Sequence, residues 1–210
     1  MEQSDPSFKA PSFITVLLTL VFGALFSAAM AFAGSQARAA DNTFSGCGLG
    51  IYGGLVQANG DVGGGMHVGT RGQEIGGTAL CDLQMGRFLV GAFVDYSKPF
   101  GSIFDLGLRQ DFTAGGRVGF VITPMTMVYV HGGRAWWETS TVGNYQGYKV
   151  GLGTELRLPT TTPLFLDARY THATVDNTGP LKVDADEVRV GLTFKFGAGM
   201  INMPAPAPLK

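Results

Sequence analysis

The sequence predicts an all-β fold, an eight-stranded antiparallel up-and-down transmembrane β-barrel. Three observations support it: eight segments in which apolar and polar residues alternate, connections that are alternately short and long, and an apolar face almost free of charge. A period of two indicates a β-strand, because successive side chains point to opposite faces. The last segment, Glu187 to Phe196, has apolar residues at even positions and polar residues or glycine at odd positions. Its length suits a tilted membrane-crossing strand.

The eight predicted strands are separated by turn chemistry, and the connections differ in length. Three are short, at Gly86-Arg87, Thr123 to Thr126 and Pro159 to Pro163, and the other four are longer and rich in Gly, Asn, Asp and Thr. Short turns at one end and long loops at the other are typical of outer-membrane barrels. The predicted strands are Gly46 to Ala58, Ile75 to Gly86, Phe88 to Ser97, Asp111 to Ile122, Met127 to Glu138, Tyr148 to Leu158, Leu164 to Thr174 and Glu187 to Phe196.

The polar faces of these segments predict a charged interior. An eight-stranded barrel is just wide enough inside for side chains to fill it. Five acids and six bases on the polar faces would pair into a balanced network and leave no ion-selective path. The alternative is a soluble β-sandwich whose charged face lies in water. The predicted lumen network comprises Asp82, Asp95, Arg117, Lys149, Glu155, Arg157, Asp167, Arg169, Glu187, Arg189 and Lys195.

The two ends of the chain lie outside the predicted barrel. Residues 1–39 resemble a secretory signal peptide, with an apolar run followed by Ala-x-Ala sites that predict cleavage after residue 33 or 39. A retained membrane anchor and a lipoprotein acylated at Cys47 are the alternatives. Residues 40–197 form the predicted barrel. Residues 198–210 form an Ala/Pro-rich tail that we expect to be extended and periplasmic, with contact to the cell wall or a partner as an alternative to disorder.

Composition excludes several classes of site. The formal net charge of −1 gives no indication of a nucleic-acid partner. The two cysteines, Cys47 and Cys81, form no CxxC motif and have no histidine pair nearby, so neither a metal nor a cofactor is expected. Both fall on apolar faces of neighbouring predicted strands. A disulfide is one alternative, although simple hairpin register sets the two cysteines several residues apart.

Several stretches resemble the OmpA-like, opacity-type outer-membrane β-barrel family of alpha-proteobacteria. They are Gly116 to Phe120, Met127 to Ala135, Tyr148 to Glu155, Asp167 to Thr171 and Val188 to Phe196. The resemblance implies an integral outer-membrane protein in contact with outer-membrane lipid and lipopolysaccharide and inserted by the barrel assembly machinery. The even number of predicted strands predicts that both termini are periplasmic. The resemblance does not define an activity, because such barrels serve as structural proteins, adhesins, small pores or enzymes. The chain departs from the family in continuing beyond the terminal aromatic residue.

One segment offers candidate chemistry. His172 and Thr174 resemble the His-x-Ser site of lipid A 3-O-deacylase barrels, with Asp176 or Glu187 as an orienting acid. Threonine in place of serine is a departure, and an interfacial histidine beside a loop is the competing interpretation. Another residue, Arg134, shares the apolar face at the level of lipid A phosphate, unless a bulge at Gly132-Gly133 turns it inward. The aromatic residues Tyr96, Trp136, Trp137 and Tyr170 indicate an interfacial girdle.

The sequence therefore favours a non-enzymatic barrel with a structural or surface-interaction role. A lipid A-modifying hydrolase and a narrow channel are the alternatives.

Overall fold

The computed structural model describes residues 43–61, 67–100, 108–139, 144–176 and 182–196. Within these ranges the chain forms a closed barrel of eight strands, each antiparallel to the next, with β8 returning to β1. No helix in the described ranges is long and apolar enough to cross a membrane. The predicted signal peptide and the predicted Ala/Pro tail lie outside these ranges. The strands are β1 Gly46–Asp61, β2 His67–Met85, β3 Phe88–Phe100, β4 Leu108–Thr123, β5 Thr126–Thr139, β6 Asn144–Arg157, β7 Leu164–Asp176 and β8 Lys182–Phe196.

The predicted fold class is confirmed, and the soluble sandwich alternative is wrong because the sheet closes on itself. The strands extend further than predicted at the end opposite the short turns. Strand β2 begins at His67 where the sequence predicted Ile75, and β8 begins at Lys182 where it predicted Glu187. These extensions lack apolar alternation, but backbone pairing does not require it, and β1 pairs with β2 without a break as far as Asp61 and His67.

The outward face carries a band of apolar side chains. Apolar side chains outside and charged side chains inside reverse the distribution of a water-soluble protein and match a barrel surrounded by lipid. We call this band the apolar belt; it includes Leu49, Ile51, Ile75, Leu83, Val90, Val94, Val118, Phe120, Val128, Val130, Val150, Leu152, Val190 and Leu192, all exposed.

Two pairs of glycines lie opposite each other where β4 meets β5. Gly115 pairs with Gly133 and Gly116 with Gly132, so the pairing runs through this region without the predicted bulge. A Cβ added at Gly115 would lie 2.2 Å from the carbonyl oxygen of Gly132, a distance that no side chain tolerates. Because the phase is unbroken, Arg134 keeps the outward parity of Val128 and Val130.

The end of the barrel with the short turns has an apolar floor. The segment before β1 turns under the barrel and places Phe44, which is fully buried, among aliphatic side chains and the ring of Phe165. The backbone N–H of Phe44 donates to Gln84 Oε1 over 3.0 Å, and the backbone N–H of Gln84 donates to Ser45 Oγ over 2.7 Å. The floor comprises Phe44, Leu89, Val121, Met127, Tyr129 and Phe165.

A second apolar cluster lies inside the opposite end. Trp137 is buried there against Ala135 and Ala173, which corrects its predicted place in the outer aromatic girdle. Strand β5 alternates without interruption, so Trp136 points outward and Trp137 inward. The partly buried neighbours of this upper cluster come from β4, β6, β7 and β8, and they are Leu108, Tyr145, Val175 and Ala185. Charged side chains occupy the interior between the floor and this cluster.

Candidate functional site

Four charged side chains form a closed ring in the lower interior. Arg117 donates from Nε to Asp82 Oδ1 over 2.9 Å and from Nη2 to Glu155 Oε2 over 2.9 Å. Lys195 Nζ donates to Asp82 Oδ2 over 2.8 Å and also contacts Glu155. All four side chains are at most 1% exposed, and they come from β2, β4, β6 and β8. We call this set the lower ion ring, and it contains two acids and two bases.

A larger group of charges lies above the ring. Arg189 Nε donates to Glu74 Oε1 over 2.6 Å, and its Nη2 lies 2.7 Å from Glu187 Oε2. Lys149 Nζ donates to Glu187 Oε1 over 2.7 Å and contacts a further carboxylate of β4. Charged pairs this deeply buried hold a fixed geometry, because losing one partner leaves an uncompensated charge. This upper ion cluster comprises Glu74, Asp95, Asp111, Lys149, Arg169, Glu187 and Arg189.

Tyr129 and Arg169 join the ring to the cluster. Tyr129 Oη donates to Asp167 Oδ2 over 2.5 Å and accepts from Arg169 Nε over 3.2 Å. Arg169 in turn donates from Nη1 to Asp95 Oδ2 over 2.7 Å. The guanidinium of Arg117 lies 4.9 Å from the centre of the Tyr129 ring, which completes the connection to the lower ion ring. The interior is therefore one continuous network of polar side chains.

The structure corrects the predicted network at three positions. Arg157 is exposed at the last residue of β6, because its register partner Phe165 occupies the floor. Glu74 and Asp111 are buried members that the sequence analysis missed, since one lay in a predicted loop and the other began a predicted strand. All other predicted members lie inside. The two sets together hold six carboxylates and five cationic side chains, and Asp167 adds a seventh carboxylate, so the network that was predicted to be nearly balanced has two more acids than bases.

Cys47 and Cys81 are directly opposite each other on β1 and β2, with their sulfur atoms bonded at 2.08 Å. The expected offset of several residues was wrong, because it assumed a long loop between these strands. Strand β2 begins at His67, which shortens the connection and shifts the register. Both cysteines point outward, away from the ion network.

On the outward face, His172 is held by an acid that the sequence analysis did not select. Its Nδ1 lies 3.0 Å from Asp186 Oδ1, and Tyr170 Oη donates to the same oxygen over 2.6 Å. The predicted partner Glu187 faces inward and binds Lys149, so that assignment is wrong. The side chain of Asp176 lies outside the described residues. Thr174 is exposed two residues along β7 on the same face as His172.

Asp186 was missed because the eighth strand was predicted to begin one residue later. Its even position was the available signal, since even residues of β8 point outward. His172 and Asp186 are register partners across β7 and β8, so the pairing is a product of the sheet itself.

Arg134 lies on the same outward face of β5, two strands away from His172 on β7. Its guanidinium carbon is 4.4 Å from the centre of the Tyr148 ring, and its Nη2 donates to Gln146 Oε1 over 3.1 Å. Another outward chain of hydrogen bonds begins with Tyr96 Oη, which donates to Gln110 Oε1 over 2.9 Å, and it continues to Glu138. Polar side chains therefore follow the apolar belt at the end opposite the short turns.

No known family model matches the chain, and no curated protein matches it in sequence. Solved structures resemble it. Neisserial surface protein A is 15% identical with a TM-score of 0.45, and the match covers 70% of this chain and 97% of that one. Ail, the attachment invasion locus protein of Yersinia pestis, is 15% identical with a TM-score of 0.39, covering 71% and 99%. The outer-membrane protein OprG from Pseudomonas aeruginosa is 12% identical with a TM-score of 0.36, covering 72% and 96%. These likenesses concern the fold alone.

Proposed function

We propose that the protein is a non-enzymatic, integral outer-membrane barrel of the OmpA-like, opacity type, with a structural or surface-interaction role. The observation that supports this is the filled interior, in which buried ion pairs lie between an apolar floor and an upper apolar cluster. The exposed apolar belt supports the membrane location, because such a surface in water would drive association.

The filled interior argues against the channel alternative. An ion crossing the barrel must displace side chains that are paired with one another and almost fully buried. Separating such pairs leaves charges without partners in a low dielectric, at a cost of about 3–5 kcal/mol for each broken pair. The network instead holds the strands in one arrangement, which suits a rigid scaffold for the loops.

The orientation and the chain ends complete the proposal. Cys47 of β1 pairs with Phe196 of β8, so both ends of the barrel chain lie at the end with the short turns. Short turns face the periplasm in outer-membrane barrels, and this supports our proposal that both termini are periplasmic. Residues 1–39 would be removed as a signal peptide and the barrel assembly machinery would insert the mature chain. Residues 198–210 would reach a periplasmic partner or the cell wall.

A conductance measurement tests the filled interior. Purified mature protein is reconstituted in planar bilayers beside a known porin, and we expect no steady current while the porin conducts. Steady unit currents would contradict the proposal. Heat-modifiable gel migration after outer-membrane fractionation tests location and fold together. A β-rich protein that stays soluble without detergent would contradict the membrane assignment.

A lipid A-modifying hydrolase is a second candidate, favoured by the contact between His172 and Asp186. In this mechanism Asp186 would keep Nδ1 of His172 protonated, and Nε2 would take the proton of the Thr174 hydroxyl as its oxygen attacks an acyl ester. The proton would pass to the leaving alcohol, and water would release the fatty acid in a second step. The assay compares lipid A deacylation by the natural protein and by Thr174→Ser. No activity in either form would exclude the hydrolase.

A further inference from the structure

The Cys47–Cys81 disulfide lies on the lipid-facing side of the barrel wall. Cys81 is exposed on the outward face of β2, and the exposed apolar side chains of Leu83 and Met85 lie between it and the turn that follows. Cys47 is exposed on β1, directly opposite the exposed ring of Phe196 on β8. Apolar side chains therefore flank the disulfide on both strands, and in a membrane both sulfur atoms face lipid.

The hairpin that the disulfide joins has few side chains to hold it together. Six of the sixteen residues of β1 are glycine, and so are four of the nineteen residues of β2. Glycine weakens a strand, and an isolated two-stranded hairpin is only marginally stable in water. The disulfide joins directly opposite residues, so it fixes the register of β1 and β2 as soon as it forms.

The chemistry of disulfide exchange requires water at the sulfur atoms. The thiolate is the nucleophile, and it must reach a disulfide sulfur of the oxidant. A charged group is costly in the hydrocarbon of a bilayer, and a water-soluble oxidant does not enter it. Two thiols at the positions of Cys47 and Cys81 would therefore stay reduced once lipid surrounds the barrel, so the bond has to form earlier.

We propose that the Cys47–Cys81 bond forms in the periplasm, before the barrel enters the membrane, by exchange with the disulfide of a thiol oxidant. The protein is thus a substrate of a thiol–disulfide oxidant while its barrel is still open, and β1 and β2 enter the membrane already joined. The inference rests on the membrane location proposed above, and it involves none of the interior residues.

The exchange has two steps. The thiolate of one cysteine attacks a sulfur of the oxidant's disulfide, which gives a mixed disulfide and releases the oxidant's other sulfur as a thiolate. The thiolate of the second cysteine then attacks the first cysteine's sulfur, forms the Cys47–Cys81 bond and releases the oxidant's remaining sulfur. Two electrons pass to the oxidant, whose disulfide is reduced to two thiols, and these take up the two protons that the cysteines lose.

Oxidation of the reduced chain before and after folding tests this order. Purified reduced mature chain is either kept in urea or folded into phosphatidylcholine nanodiscs, whose two faces are both open to solvent, and glutathione disulfide is added. Free thiols are then blocked with maleimide, and gels without reductant follow the bond. We expect oxidation in urea, and oxidation at least about tenfold slower in nanodiscs, because the thiolate and the oxidant do not meet in lipid.

The same hairpin offers a matched control pair at its other end. Asn59 and Gly69 are directly opposite each other and exposed, and they lie beyond Leu55, the last outward apolar residue of β1. A Cβ added at Gly69 would lie 3.3 Å from Asn59 Oδ1, so side chains are adjacent there. A chain with Asn59→Cys and Gly69→Cys, and with Cys47→Ser and Cys81→Ser, should be oxidised at similar rates in nanodiscs and in urea.

The outcomes separate this inference from the membrane location. Heat-modifiable migration shows whether each chain is folded in the nanodiscs. If folded, inserted barrels oxidise the natural pair as fast as the control pair, the proposal is overturned and the membrane location stands. Failure of every folded form to enter nanodiscs would instead contradict the membrane location.

The unassembled chain provides a second test in cells. Depletion of the barrel assembly machinery holds secreted barrel chains in the periplasm, and maleimide added before lysis blocks their free thiols. We expect the unassembled chain to carry the Cys47–Cys81 bond already. Free thiols in that chain, with the bond present only in assembled barrels, would overturn the proposal.

Discussion

Lys195 Nζ donates a hydrogen bond to the carbonyl oxygen of Phe44 over 3.1 Å, joining the last strand to the segment that precedes the first. The same ammonium binds Asp82 in the lower ion ring. Lys195 therefore connects the apolar floor to the charged interior, and the segment before β1 is part of the folded barrel.

Replacement of Phe44 by alanine should destabilise the barrel by about 3–5 kcal/mol, because it removes a fully buried ring from the floor. Urea titration in lipid vesicles, followed by heat-modifiable gel migration, measures the change. Phe100→Ala is the control, since Phe100 points outward and is 45% exposed at the opposite end. Equal losses for the two variants would show that the floor contributes nothing specific.

Replacement of Lys195 by methionine should destabilise the barrel by about 3–5 kcal/mol, because two buried carboxylates lose a partner. A second change, Glu155→Gln, should recover part of that loss, since Asp82 and Arg117 then remain as a neutral pair. Unfolding in urea gives the four free energies of this double-mutant cycle. Strictly additive losses would contradict the ring. Arg157→Met, at an exposed site, should change stability by less than about 0.5 kcal/mol.

Replacement of Gly115 by alanine should destabilise the barrel by about 1–3 kcal/mol, because the new Cβ would collide with the backbone of β5. The neighbouring Gly116→Ala is a close control, since a Cβ there would meet its nearest atom at 3.4 Å. Urea midpoints of the two variants, measured in the same vesicles, provide the comparison. A larger loss for the Gly116 variant would contradict the described phase of β4 and β5.

Replacement of Cys47 and Cys81 by serine should lower stability by about 2–4 kcal/mol, because the bond closes a loop with a sequence separation of 34. In the membrane the bond should resist dithiothreitol, since thiolate attack needs water and both cysteines face outward. Maleimide labelling of reduced thiols, in vesicles and in urea, measures the accessibility. Equal labelling in both conditions would place the disulfide outside the lipid-facing wall.

The alternation of apolar and polar residues identified the strands and most of the interior residues, because one face of a barrel strand contacts lipid and the other faces the interior. Arg117 and Glu155 were found in this way from their odd positions alone. The same rule failed for Arg157. An odd or even position predicts the face to which a side chain points, but it does not predict how far along the barrel the residue lies, and Arg157 is exposed at the last residue of its strand.

The missed residues lie where the backbone pairing of a strand continues but the apolar alternation of its side chains has ended. Glu74 and Asp186 belong to strand extensions beyond the apolar belt, where no apolar alternation marks the strand. Phe44 precedes the first strand, and nothing local indicates that it turns under the barrel. The pairing of Cys47 with Cys81 depends on the length of the connection between β1 and β2, which the glycine-rich sequence there does not indicate.

The lower ion ring takes one side chain from every second strand: Asp82, Arg117, Glu155 and Lys195. During assembly in chain order, two acids and one base are present until β8 arrives with the missing ammonium. A chain that lacks β8 therefore keeps an unneutralised negative charge inside an unfinished barrel. Lipid does not solvate that charge. Strand β8 both closes the sheet and neutralises the ring, so the ring stabilises only the full-length barrel.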